Sequence, residues 1–230
     1  MNIVDGEGKT SREINQAIKA LVAEGADEIH VHNPGARHNL GVALIRAVRV
    51  IFEGSVGYYC GGMGDGAQIE VRGSAGWGLA EGIMNGTVIV EHNAGNGAGA
   101  AIRGGTVVVR GNVSARGGVS MKGGTVIVGG SAGYMTGFMQ QKGTLIILGD
   151  GGPALGDSLY AGQIYVGGRV GELGNDAILA PFEADDADYL ADTLAPFDYD
   201  ATRYDWKKIV AGRKLWNFDK TDFETWRVAL

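Results

Sequence analysis

The chain has 230 residues, of which 41 are glycine and only 4 proline, and 45% are apolar against 20% charged. Glycine without a strict three-residue period excludes collagen, and that share of apolar residues excludes a chain too polar to build a core. A formal net charge of -6 leaves no basic footprint for nucleic acid.

The acidic opening MNIVDGEGKTSRE lacks the basic and then apolar order of a secretory signal. No run approaches the ~18 apolar residues of a membrane span. The single cysteine, Cys60, rules out an internal disulfide. The expectation is a cytoplasmic protein that engages neither nucleic acid nor membrane.

Residues 1–48 read as an N-terminal cap. Thr10-Ser11-Arg12-Glu13 has the form of a capping box. Ile14, Ala17, Ile18, Leu21 and Val22 follow at helical spacing, with a stop at Gly25. Glu28 to His32 then alternates like a strand and opens an irregular first coil. His30, His32 and His38 have no carboxylate or cysteine at ligand spacing, so no metal site is expected.

Residues 49–181 carry a ruler. Six strand-like segments start at Gln68, Thr87, Thr106, Thr125, Thr144 and Gln163, each 19 residues after the last, and Val50-Ile51-Phe52 fits one coil upstream. Glycine keeps the same step. It stands one residue before a segment at Gly86, Gly105, Gly124, Gly143 and Gly162, and seven before at Gly61, Gly99, Gly118, Gly137 and Gly156. It stands eleven before at Gly57, Gly76, Gly95, Gly133 and Gly152. One short β-branched strand and several corner glycines per unit predict an all-β, single-stranded parallel β-helix of about seven coils, because glycine tolerates the tight corners between stacked layers.

Alternation sorts the strand residues into faces. Pairs such as Val88/Val90 and Val126/Val128 point inward, with Ile83, Ile102, Met121 and Leu159 filling the opposite wall. Ile89, Val108, Ile127 and Ile146 form an outward aliphatic stripe, which monomers seldom leave bare. Either the chain's own tail or a second subunit is expected to cover it.

Residues 182–230 form that tail, with one glycine, Gly212, but ten of the chain's 18 aromatics, among them Trp206, Trp216 and Trp226. Asp185 to Leu194 reads as a helix, Ala201 to Ala211 as a second helix stopped by Gly212, and the rest as extended. Too short for its own core, the tail must lie on the rod or on a partner.

No catalytic, cofactor-binding or metal-binding residue is expected. Gly95-Asn96-Gly97-Ala98-Gly99 suggests a dinucleotide loop but recurs in degenerate form in other coils and precedes no helix. Cys60 sits among small residues without a neighbouring histidine. Glu81 and Asp157 share a phase, but four coils, roughly 19 Å, separate them, too far for a carboxylate pair.

The glycine-corner repeat from Gly54 to Gly174, with its Gly-Gly-Thr-Val phrases, resembles the GXGXG domain at the C-terminal end of the large subunit of glutamate synthase. With its capping helix and the tail from Lys207 to Phe218, the chain is similar to the small GXGXG subunits of N-methylglutamate synthase and related complexes. The resemblance implies a right-handed β-helix that does no chemistry itself. It implies a hetero-oligomer with two partners, a glutamine-amidotransferase-like subunit and an FMN-binding, glutamate-synthase-like subunit that also holds an iron-sulfur cluster. The assembly would combine methylamine with glutamate and release ammonia. Alternatives are a scaffold in another glutamate synthase or in formylmethanofuran dehydrogenase, or a freestanding β-helix enzyme acting on carbohydrate.

Overall fold

The computed structural model describes residues 2–214. In chain order its elements are β1 (Asn2–Asp5), α1 (Ser11–Ala23), β2 (Glu28–His32), β3 (Arg49–Phe52), β4 (Asp65–Val71), β5 (Asn85–Val90), β6 (Thr106–Val109), β7 (Lys122–Val128), β8 (Lys142–Ile147), β9 (Gln163–Val166), β10 (Ala177–Ala180), α2 (Ala184–Leu194) and β11 (Lys207–Ala211). All eleven strands join one sheet in the order β1-β2-β3-β4-β5-β6-β7-β8-β9-β11-β10. From β1 to β9 every neighbouring pair is parallel. Among the described residues no helix is long and apolar enough to cross a membrane.

The fold is a parallel β-solenoid, and the sequence ruler is its pitch. Val88 pairs with Val107, Val107 with Val126, and Val126 with Leu145, so residues 19 apart lie directly over one another. These four are at most 2% exposed and share one core with Ile83, Ile102 and Met121, equally buried; Leu159 is fully buried too. The strands form because β-branched side chains stack efficiently on a pleated wall.

The wall opposite the strands is built from turns, and its backbone has a period of its own. In each coil the residues nine, seven and five before the strand segment have left-handed φ. Arg116 (60°), Gly118 (65°) and Ser120 (54°) form one set, and Met135, Gly137 and Met139 the next. Their amides alternate in direction. Gly78 and Gly82 donate to Asn96 and Ala100 of the following coil, while Ala80 between them donates to Cys60 of the preceding one. Every turn is therefore hydrogen-bonded to both neighbouring layers, as backbone groups away from water require.

Corner glycines serve two separate needs. Those seven and one before a strand, such as Gly99 (φ 69°) and Gly105 (φ 72°), sit in left-handed backbone. Gly57, Gly76, Gly95 and Gly133 are not left-handed. There the layer beneath leaves no room: a Cβ on Gly95 would stand 2.5 Å from the Trp77 ring, and one on Gly76 would stand 2.6 Å from the Tyr58 ring. Another ladder seals the corner after the strands. The Oδ1 of Asn93 accepts the Asn112 amide at 2.8 Å, Asn112 accepts from Ser131 at 2.7 Å, and Asp150 accepts from Arg169 at 2.8 Å.

At the first end, α1 begins with the expected capping box: Thr10 Oγ1 accepts the Glu13 amide, and Glu13 returns a bond to the Thr10 amide. Ile14 and Ile18 are fully buried against the end of the core. At the other end the structure corrects the sequence reading of Ala201 to Ala211 as a helix. Only Ala201–Arg203 makes a single tight turn, and Lys207–Ala211 is a strand antiparallel to both β9 and β10. Ile209 and Val210 favour extended backbone, and the open edge of β9 supplies the partners that a helix would forgo.

The tail lies on the rod. Val108, Ile127, Ile146 and Tyr165 on the outer face of β6 to β9 are fully buried under Leu190, Leu194 and Ala201, with Phe182, Phe197 and Trp206 packed around them. Ile89, at the margin, is half-buried. The aliphatic stripe is thus covered by the chain itself. Trp216 and Trp226 lie outside the described residues.

Candidate functional site

Two polar constellations and one exposed wall hold the side chains with chemical potential. The first lies on the outer face of β2, β3 and β4. His30 Nδ1 is 2.9 Å from Glu53, and its Nε2 is 3.1 Å from Glu28. Arg49 links Glu28 (2.9 Å) to Glu70 (2.8 Å), and Arg72 links Glu70 (3.2 Å) to Glu53 (3.0 Å). The six side chains close a ring. Its centre is Ile51, which pairs in register with His30 on one side and Glu70 on the other and is only 1% exposed.

Protonated His30 completes the charge balance, three carboxylates against three cations. Bonds from Glu53 and then Glu28 hold the imidazole pKa above its ordinary value. The His30 contact holds Glu28 and Glu53 below the usual carboxylate range. Burial pushes Glu70 up, but Arg49 and Arg72 more than offset this and leave it lowered. The sign of the pH effect follows. The contribution of His30 is complete below its unfolded value of about 6.5 and fades as pH rises through the raised folded value. The carboxylates oppose acid, contributing above about 4.3 and losing that contribution as pH falls through their folded values. Relative to His30→Gln, the wild type is expected to be most stabilised between those limits, with an advantage that shrinks on the alkaline side. Melting curves of both proteins from pH 5 to 9 check this; a constant difference across the series contradicts it.

The second constellation fastens the tail. Tyr165 donates to Asp186 Oδ1 at 2.6 Å, and Lys208 Nζ reaches the same carboxylate at 2.7 Å and 3.0 Å. Burial raises the Tyr165 phenol, and Asp186 raises it further. Burial also acts to raise Asp186, but Lys208 and Tyr165 together leave it lowered and charged. Arg110 ties the segment farther along, bonding Glu91 and the Phe197 carbonyl (2.9 Å). Tyr189 bonds Thr144 at 3.0 Å, and Trp206 bonds the Ala201 carbonyl at 2.8 Å.

Other groups singled out in the sequence have structural duties. Cys60 is fully buried in the lumen of the solenoid, where desolvation pushes its thiol pKa up and favours the uncharged thiol. His38 accepts the Tyr58 amide at 2.9 Å and stacks on the Tyr58 ring at 4.4 Å, which in turn stacks on Trp77 at 5.2 Å. The three N-terminal histidines therefore do not converge. Among the described residues no group of three or more His, Cys, Asp or Glu could hold a metal. The Gly95 to Gly99 run is one turn of the solenoid wall, with Gly97 and Gly99 left-handed. Sequence reasoning missed the charged ring entirely; its only signal is a set of opposite charges 19 to 23 residues apart.

Fold and side-chain placement together define a parallel β-solenoid protein capped by a helix and sealed along one wall by its own C-terminal segment. The chain is 49% identical over 222 residues to Protein GlxC of Rhizobium meliloti (strain 1021), a match that spans 95% of this chain and 97% of that protein. The chain belongs to the GlxC family. No family model matches it.

Proposed function

We propose that this chain is the structural subunit of a glutamate-synthase-like complex, most specifically an N-methylglutamate synthase. It bridges an amidotransferase-like subunit and an FMN-binding subunit that carries an iron-sulfur cluster. The observation that carries this reading is the uninterrupted stack of β3 to β9, whose corner glycines recur at the 19-residue step on which the resemblance to GXGXG domains rests. The most reactive side-chain types support it, because they are committed to the architecture. Cys60 is sealed in the core, His30 is clasped by two glutamates, and Tyr165 is bound to Asp186. A lone buried cysteine is not a donor set for an iron-sulfur cluster, which fits a cluster held elsewhere in the complex.

The test is reconstitution. The chain alone is expected to be colourless and to leave methylamine and glutamate unchanged. Co-expressed with the two partner subunits, it should co-purify with them as a yellow complex that forms N-methylglutamate. Turnover by the isolated chain, or full activity of the partners without it, refutes the proposal.

A further inference from the structure

The turn wall carries an uncompensated charge. Three residues before the first strand segment stands Asp65, an exposed acid; three before the next five, the backbone amides of Met84, Arg103, Lys122, Gln141 and Tyr160 each donate to the preceding coil, at Gly64, Ile83, Ile102, Met121 and Gln140. These five side chains therefore form one column, a layer apart at about 4.8 Å and roughly 19 Å from end to end. Met84 and Tyr160 at its two ends are 46% and 48% exposed, and the three polar residues between them are exposed too. Lys142 extends the column to the side, paired in register with Lys122, while Arg116 lies on the same wall.

Residues 92–149 contain five Lys or Arg and no Asp or Glu, in a chain whose net charge is -6. Residues 183–205, the tail on the strand wall, contain eight acids and one base. The strand-wall arginines Arg49, Arg72 and Arg110 all have ion-pair partners. Among the described residues, Arg103, Arg116, Lys122 and Lys142 have none. Like charges stacked one layer apart repel each other, and the one aromatic contact among these four, Arg116 over the Phe138 ring at 5.9 Å, leaves the charges of Arg103, Lys122 and Lys142 without a carboxylate. Exposed apolar side chains at both ends of the column favour a protein surface over a phosphate backbone, because protein interfaces combine apolar contact with complementary charge.

We propose that this column is a docking face for a partner protein that presents carboxylates flanked by apolar side chains. Resting on the reading above, that partner is a subunit of the same complex. The test is the double charge reversal Arg103→Glu/Lys122→Glu in the full chain, co-expressed with the amidotransferase-like and flavin-binding subunits. Because both side chains are exposed, the variant should melt within a few degrees of wild type. It should bind at least one subunit about 30-fold or more weakly, and raised salt should weaken wild-type binding but hardly affect the variant. Arg103→Lys/Lys122→Arg should restore binding. Equal binding by wild type and reversal overturns the docking face and leaves the scaffold reading intact; failure of the wild type to bind either subunit overturns both. Two further outcomes overturn the assignment to a protein of another kind. One is a concentration-dependent dimer of the isolated chain that the reversal disperses, which would seat a second copy's acidic tail on the column. The other is binding of a DNA duplex that the reversal abolishes.

Discussion

Ile127→Lys is expected to lower the melting temperature by about 10 °C. Ile127 is fully buried between the outer face of β7 and the tail, so the substitution removes a buried aliphatic group and places an ammonium among apolar side chains. Burying the charge among the aliphatic and aromatic side chains of that cluster and losing the isoleucine are together of order 4 kcal/mol, and each kcal/mol shifts a domain of this size by about 2–4 °C. Tail detachment should accompany the loss, visible as a red shift of Trp206 emission. Ile89→Lys is the control, because Ile89 is half-buried at the margin of the same stripe and its lysine has a route to water. A variant at 127 that melts like the variant at 89 contradicts the covered stripe.

Gly105→Val should be a strongly damaging corner substitution. Its φ is 72°, and a Cβ there would stand 2.5 Å from the carbonyl oxygen of Gly86, a backbone atom fixed by its own layer. Left-handed strain for a β-branched residue amounts to about 1–3 kcal/mol, and the collision adds to it by forcing two layers apart. Gly97→Ala separates the two effects. Its φ is 69°, but the nearest atom would be 3.9 Å from the new Cβ, so only the conformational cost of about 1 kcal/mol applies. Chemical denaturation of both variants measures the difference, and equal midpoints would show that layer spacing does not depend on the missing side chain.

Why the coils were readable and the ends were not has a physical basis. Stacking demands that residues 19 apart occupy equivalent environments, so Val88, Val107 and Val126 repeat in the sequence as they do in space. The capping box at Thr10 was equally readable because its bonds are local. Left-handed Arg116 and Met135 were invisible, since their hydrogen bonds to neighbouring layers hold a conformation that their residue type does not announce. The strand at Lys207–Ala211 was misread because its lysines, alanine and Gly212 stop imitate a helix end, and the deciding factor, the open edge of β9, lies some 40 residues upstream. The ring around Ile51 stayed hidden because its carboxylates and cations come together only after the chain has wound past itself.

The closed ring of His30, Glu53 and their neighbours has one more consequence. A solenoid of near-identical turns is prone to miscounting: slipped by one whole turn, most valines would still meet valines and most glycines would still find a vacant corner. Only singular features tell the first layer from the second and the penultimate from the last. Six polar side chains that fit together in one way at one end, and Asp186 gripped by Tyr165 and Lys208 at the other, act as bookends that set the number of layers between them.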